Sequence, residues 1–118
     1  MEINVTYGNI TIQDVDAIVV NLFQDVTNPG GATGSVDQAL GGAISHLIGD
    51  GETTGKKGEI TLIHTLGKMT PARVVVAGLG KQQKELDPDV VRATTGEVLR
   101  HLSRIGVKKV ATIAHGAG

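Results

Sequence analysis

Residues 7–40 read YGNITIQDVDAIVVNLFQDVTNPGGATGSVDQAL. Within them, Val15 to Val20 is an apolar run broken only by Asp16, the pattern of a strand covered on both faces. The run ends on Asn21, and a polar loop then leads to a glycine cluster, Gly30, Gly31 and Gly34, which opens a helix. A strand, a glycine loop and a helix in that order offer backbone N–H groups and a helix N-terminus to an anion. Upstream, Ile3 to Tyr7 alternates like a strand, and Gly8, Asn9, Ile10 and Thr11 form a turn into the apolar run.

Downstream, the period changes. Val36, Leu40, Ala43, Ile44, Leu47 and Ile48 fall on one helical stripe, with Ser35 as the expected N-cap and Gly49–Gly51 as the stop. Gly41 and Gly42 inside this helix cost about 1 kcal/mol each against Ala, and close packing on the sheet is their expected use. Residues 49–59 form a Gly, Lys and Glu loop. Ile60 to Thr65 and Arg73 to Ala77 read as strands, the second ending in a Gly78-Leu79-Gly80 turn. Asp87-Pro88-Asp89 is a helix start: a capping Asp, Pro at the first helical position, and an acid at the positive dipole end. That helix should bury Val91, Val98, Leu102 and Ile105 and stop at Gly106. Val110 to Ala114 is the last strand.

The alternation predicts an α/β fold with a mostly parallel sheet. Val15–Val20 should be central, flanked by Arg73–Ala77 and Val110–Ala114. With nothing after Gly118 to cover it, Val110–Ala114 should be an open edge, and the domain should self-associate through it or be only marginally stable.

The 118 residues suit one domain with a real core, and 40% of them are hydrophobic. Phe23 and Tyr7 are the only aromatics, so the core is aliphatic and stacking platforms for nucleic acid are missing. A net charge of −1 also argues against nucleic acid. Residues 1–59 hold two Lys against eight acids, and residues 60–118 hold nine Lys or Arg against four. Two solvated faces explain this, and an acidic patch of one copy meeting a basic patch of another is the alternative. The absence of cysteine removes thiolate chemistry and fits a reducing compartment. No apolar run reaches the ~18–20 residues of a membrane span.

The candidate anion site comprises Gly30, Gly31, Gly34, Gly78 and Gly80, near Asn21. The glycine cluster is neither a Walker motif nor G-x-G-x-x-G, so phosphate binding and simple turn geometry both stand. Gly78-Leu79-Gly80 ends a strand on the edge where open α/β sheets hold ligands. His46, His64, His101 and His115 lack metal-ligand spacing. Ser35, Ser45 and Ser103 sit in no nucleophile elbow. Asp14, Asp16 and Asp37 serve as solvated or capping acids, with pairing in space as the other reading.

Three stretches now point to a family: VVNLFQDVTNPGGATGSVDQALGGAISHLIGDGETTGKKGE, TLGKMTPARVVVAGLGK, and VATIAHGAG. Together they resemble the N-terminal domain of leucyl aminopeptidases, the cytosolic metallo-exopeptidases also called cytosol aminopeptidases. The resemblance covers essentially the whole chain. It implies a macro-domain-like, three-layer α/β/α fold over residues 1–118. ADP-ribose-binding macro domains read G-D-I-T, then V-D-A-I-V-N-A-A-N, then a glycine run and V-D-x-A-I. This chain has Gly8-Asn9-Ile10-Thr11, Val15-Asp16-Ala17-Ile18-Val19, Asn21 and Val36-Asp37-Gln38-Ala39-Leu40. It departs at Asn9, where those domains carry an adenine-recognising Asp, and at Leu22-Phe23-Gln24. The resemblance further implies a hydrolase that removes N-terminal residues from peptides. Its two divalent metals (Mn, Zn or Mg) lie in a C-terminal domain that this chain lacks, so no cofactor is expected here. The implied partners are that catalytic domain and the other subunits of a hexamer, with a role in assembly and active-site access. A free-standing module binding ADP-ribose or a related nucleotide is the alternative.

Overall fold

A computed structural model describes residues 1–6, 8–85 and 87–113. Among these residues are five strands and three helices: β1 Glu2–Thr6, β2 Ala17–Gln24, α1 Gly31–Ala39, α2 Ala43–Gly49, β3 Ile60–His64, β4 Arg73–Lys81, α3 Pro88–Arg104 and β5 Lys109–Ile113. A 3-10 turn, Ile10–Ile12, joins β1 to β2. The sheet order is β1-β5-β2-β4-β3, parallel except for the β3–β4 pair.

The apolar run is central, as its composition requires. Ala17, Ile18 and Val20 are fully buried between β5 and β4. Strand alternation divides their side chains between two cores. Ile18, Val20 and Leu22 pack under α1, α2 and the 3-10 turn with Ile10, Val36, Leu40 and Ile44. Ala17 and Val19 pack on the other side under α3 with Val75, Val98, Leu102 and Val110. The result is a three-layer α/β/α arrangement.

Several boundaries differ from the sequence expectation. β2 begins at Ala17 and runs through Asn21 to Gln24, because β4 pairs with it along its whole length. The helix expected over Val36–Ile48 is two helices. Gly41 and Gly42 adopt φ of 69° and 88°, a left-handed corner that breaks the stripe and that L residues with a Cβ resist. Neither glycine is there for close packing, since a Cβ on Gly41 would meet only the Lys68 ammonium at 4.0 Å and one on Gly42 nothing within 4 Å. α1 begins at Gly31 with Gly30 as its N-cap, and Ser35 instead lies inside α1, donating to the Gly31 carbonyl. Gly78-Leu79-Gly80 continues β4 rather than turning. α3 matches its expected start, Asp87 accepting from the Asp89 amide at 2.9 Å, but it buries Thr94 with Val98 and Leu102 and leaves Ile105 exposed.

The expected open edge is also displaced. β5 is not an edge, because β1 pairs along its far side in register from Glu2↔Lys109 to Thr6↔Ile113. The sheet edges among the described residues are therefore β1 and β3. Tyr7 and the tail from Ala114, including His115, lie outside the described residues.

Two acids tie elements together. At the N-terminal ends of the strands, the Asp16 carboxylate accepts from the Lys108 and Lys109 amides at 3.1 and 2.9 Å. The backbone donor of Lys109, then that of Lys108, holds its carboxyl below the usual aspartate value. Asp37, on α1, accepts from the amide and hydroxyl of Ser45. It thereby caps α2, whose own N-cap position is Gly42 and supplies no side chain.

Candidate functional site at the carboxyl ends of β2 and β4

β2 leaves the sheet at Gln24, and Asp25 turns the chain with φ of 70°. The loop returns to start α1 against the end of β2. The Thr33 hydroxyl donates to the Asn21 carbonyl at 2.6 Å and fixes the first helical turn there. Within the glycine cluster, Gly31 supplies a left-handed turn at φ 55°. Gly34 supplies close approach, since a Cβ on it would lie 2.5 Å from the Pro29 carbonyl oxygen. Its amide donates to the Gly30 carbonyl at 2.9 Å. The amides of residues 31–33, ahead of it, are the ones helix geometry directs outward.

The other candidate residues do not converge on that helix end. The Asn9 side chain caps the 3-10 turn, accepting from the Thr11 amide at 2.9 Å and from the Thr11 hydroxyl. Asn21 contributes its carbonyl to the Thr33 contact. Alternation after Val20 turns its side chain to the α3 face, whereas α1 packs on the opposite face. Gly78 and Gly80 spend their amides on the neighbouring loop, donating to the carbonyls of Glu59 and Gly55 at 2.8 Å each.

That loop, residues 53–59, is part of the Gly, Lys and Glu loop expected from the sequence, which gave it no role at the site. It lies across the ends of β2 and β4 at backbone distance. A Cβ on Gly55 would sit 2.5 Å from the Phe23 carbonyl, and one on Gly78 would sit 2.0 Å from the Lys56 carbonyl oxygen. Glu59 holds the loop in place. Its carboxylate accepts from the amides of Thr54 and Gly55 at 2.7 and 3.0 Å and from the hydroxyls of Thr54 and Thr53 at 2.8 and 3.3 Å. Burial pushes the Glu59 carboxyl up, but these donors together outweigh it and hold the carboxyl below its usual value. The signal available in the sequence was the density of Thr, Gly and Glu in ETTGKKGE, residues 52–59. Thr and Glu side chains can satisfy nearby backbone and hydroxyl groups, and Gly lets the backbone turn close to them.

Asp14, Asp16 and Asp37 form no shared carboxylate site. Asp16 binds strand amides and Asp37 caps a helix. Among the described residues, no three His, Asp or Glu side chains are placed to hold a metal ion. No helix among the described residues is long and apolar enough to cross a membrane.

Residues 19–115 match the family model described as the cytosol aminopeptidase family, N-terminal domain. A probable cytosol aminopeptidase of Geobacter sulfurreducens is 32% identical over 117 residues, which is 99% of this chain and 23% of the relative. One from Acidithiobacillus ferrooxidans is 37% identical over 94 residues, 79% of this chain and 18% of the relative. The chain thus spans about a quarter or less of the length of these curated relatives. Among solved structures, the macrodomain of Mycobacterium tuberculosis DarG superposes with a TM-score of 0.72 at 18% identity, covering 98% of this chain and 79% of that one. A tomato leucine aminopeptidase mutant superposes with a TM-score of 0.69 at 14% identity, covering all of this chain and 24% of that one. At such identities the structural likenesses establish a macrodomain-like fold and nothing more. The sequence match goes further: the chain belongs to the cytosol aminopeptidase family, as its N-terminal domain.

Proposed function

We propose that residues 1–118 are the non-catalytic N-terminal domain of a cytoplasmic leucyl aminopeptidase. The longer protein would remove N-terminal amino acids from peptides with two divalent metals (Mn, Zn or Mg) held by a C-terminal catalytic domain. This domain would serve assembly with the other subunits of a hexamer and control access to the active sites. One observation carries the reading: the family match spans residues 19–115, while the relatives extend to roughly four times this length. The test is deletion of this domain from the longer protein. The remainder should keep its metals while its subunit assembly or its KM for longer peptides changes. Loss of metal binding itself would contradict the proposal.

The second reading is a macro-like module that binds ADP-ribose or a related nucleotide through Asn9, Asn21, Gly30, Gly31, Gly34, Gly78 and Gly80. It draws on the fold and on the glycine-opened helix at the end of β2. Against it stands the employment of the Gly34, Gly78 and Gly80 amides within the chain.

A further inference from the structure

We infer that β1 is a self-complementary edge through which two copies of this chain join their sheets across a two-fold axis at Asn4. The inference starts from the direction of the backbone groups. The Glu2 amide donates inward to the Lys108 carbonyl at 2.7 Å. Alternation then directs the N–H and C=O of Asn4 and Thr6 inward to β5, and those of Ile3 and Val5 outward from the edge.

Among the described residues no strand pairs with the outer side of that edge. It holds no Pro, and its five residues run in unbroken register with β5. Its one charge is Glu2, and its outward-bonding residues are apolar: Ile3 is 47% exposed and Val5 60%. By register Ile3 lies beside Val110 and Val5 beside Thr112, which places both on the α3 face of the sheet.

A second β1 fits this edge antiparallel. With the axis at Asn4, Ile3 of one copy faces Val5 of the other, and Glu2 faces Thr6. The two Ile3–Val5 pairs are then hydrogen-bonded pairs and form about four backbone hydrogen bonds. They also bring two branched aliphatic pairs together on one face, a favourable cross-strand combination. No like charges meet, because each Glu2 lies opposite a Thr6. The Asn4 residues become a non-hydrogen-bonded pair with Cα atoms roughly 4.5 Å apart, within disulfide range. The inference rests on ladder geometry and not on the aminopeptidase reading, so either can fail alone.

Two variants test it. Val5→Pro removes an outward amide without touching the β5 ladder, and Pro is tolerated on edge strands. Asn4→Cys puts a single thiol into a chain that has no cysteine. By light scattering, the wild-type chain should rise from 12.2 kDa toward twice that mass as concentration approaches millimolar. Val5→Pro should stay at one chain mass while keeping the wild-type circular dichroism. Under mild oxidation Asn4→Cys should form a disulfide dimer at least tenfold faster than a Glu97→Cys control on exposed α3. Wild type remaining at one chain mass, or Asn4→Cys oxidising no faster than the control, overturns the inference. Should Val5→Pro unfold, the Asn4→Cys rate decides by itself.

Discussion

Replacing Gly78 with Ala adds one methyl group at the most crowded glycine among the described residues. The new Cβ would lie 2.0 Å from the Lys56 carbonyl oxygen and 2.9 Å from the carbonyl carbons of Gly55 and Lys56. These are backbone atoms, so no side chain can swing away. Ordinary contact requires the loop to retreat by more than an ångström. That motion strains the Gly80-to-Gly55 hydrogen bond at 2.8 Å and the Gly58-to-Gly78 bond at 3.1 Å. Overpacking of this kind costs about 1–3 kcal/mol, and each weakened hydrogen bond about 0.5–1.5 kcal/mol. Restricting the unfolded chain returns about 0.4–1 kcal/mol. The net expectation is a loss of about 2–4 kcal/mol. At about 3–5 °C per kcal/mol for a domain of this size, the melting temperature should fall by roughly 6–20 °C. Gly49→Ala is the control. It sits at the end of α2 with nothing within 4 Å of its Cβ position, so it should melt at or above the wild-type temperature. Thermal denaturation by circular dichroism reads both. Gly78→Ala melting within about 2 °C of wild type, under 1 kcal/mol, would refute the close approach of the loop to β4.

Glu59→Gln should destabilise the fold at neutral pH by about 1–3 kcal/mol, because two backbone amides and two hydroxyls lose a charged acceptor. The folded carboxyl lies below its usual value of 4.5, so its contribution is complete above that pH and is lost as pH falls through the folded value. Urea melts should therefore show the variant and wild type converging below pH 4.5, and a gap that stays constant into acid would contradict the assignment. Asp37→Ala should cost about 0.5–2 kcal/mol through the lost cap on α2, with amide exchange rising first at Ser45, and unchanged exchange there would tell against the cap. ADP-ribose should bind weakly or not at all by calorimetry, since a surface helix end supplies only about 0.3–1 kcal/mol toward an anion. A low-micromolar Kd would favour the nucleotide-binding reading instead.

What could be read from the sequence was what local chemistry decides. Asp87-Pro88-Asp89 starts α3 because the cap, the ring and the dipole act within one turn. The Val15–Val20 run is central because only a strand covered on both faces can bury so many consecutive apolar residues. What could not be read depends on distant partners. The left-handed corner at Gly41–Gly42 is set by Asp37 reaching across it to Ser45, eight residues along the chain. The docking of β1 beside β5 joins residues more than a hundred positions apart, with no local mark in either strand. The glycine cluster announced a special backbone, and Pro29 and Asn21 show what it is used for in packing. Gly78 and Gly80 looked like a turn because their partner, the loop held by Glu59, is recognisable only once β3 and β4 are paired.

The most direct measurement is hydrolysis of a leucyl-anilide by the purified 118-residue chain with Mn²⁺ or Zn²⁺ added. A non-catalytic N-terminal domain predicts a rate indistinguishable from metal and buffer alone at every chain concentration. Turnover that rises in proportion to the chain, and that a chelator abolishes, would contradict it.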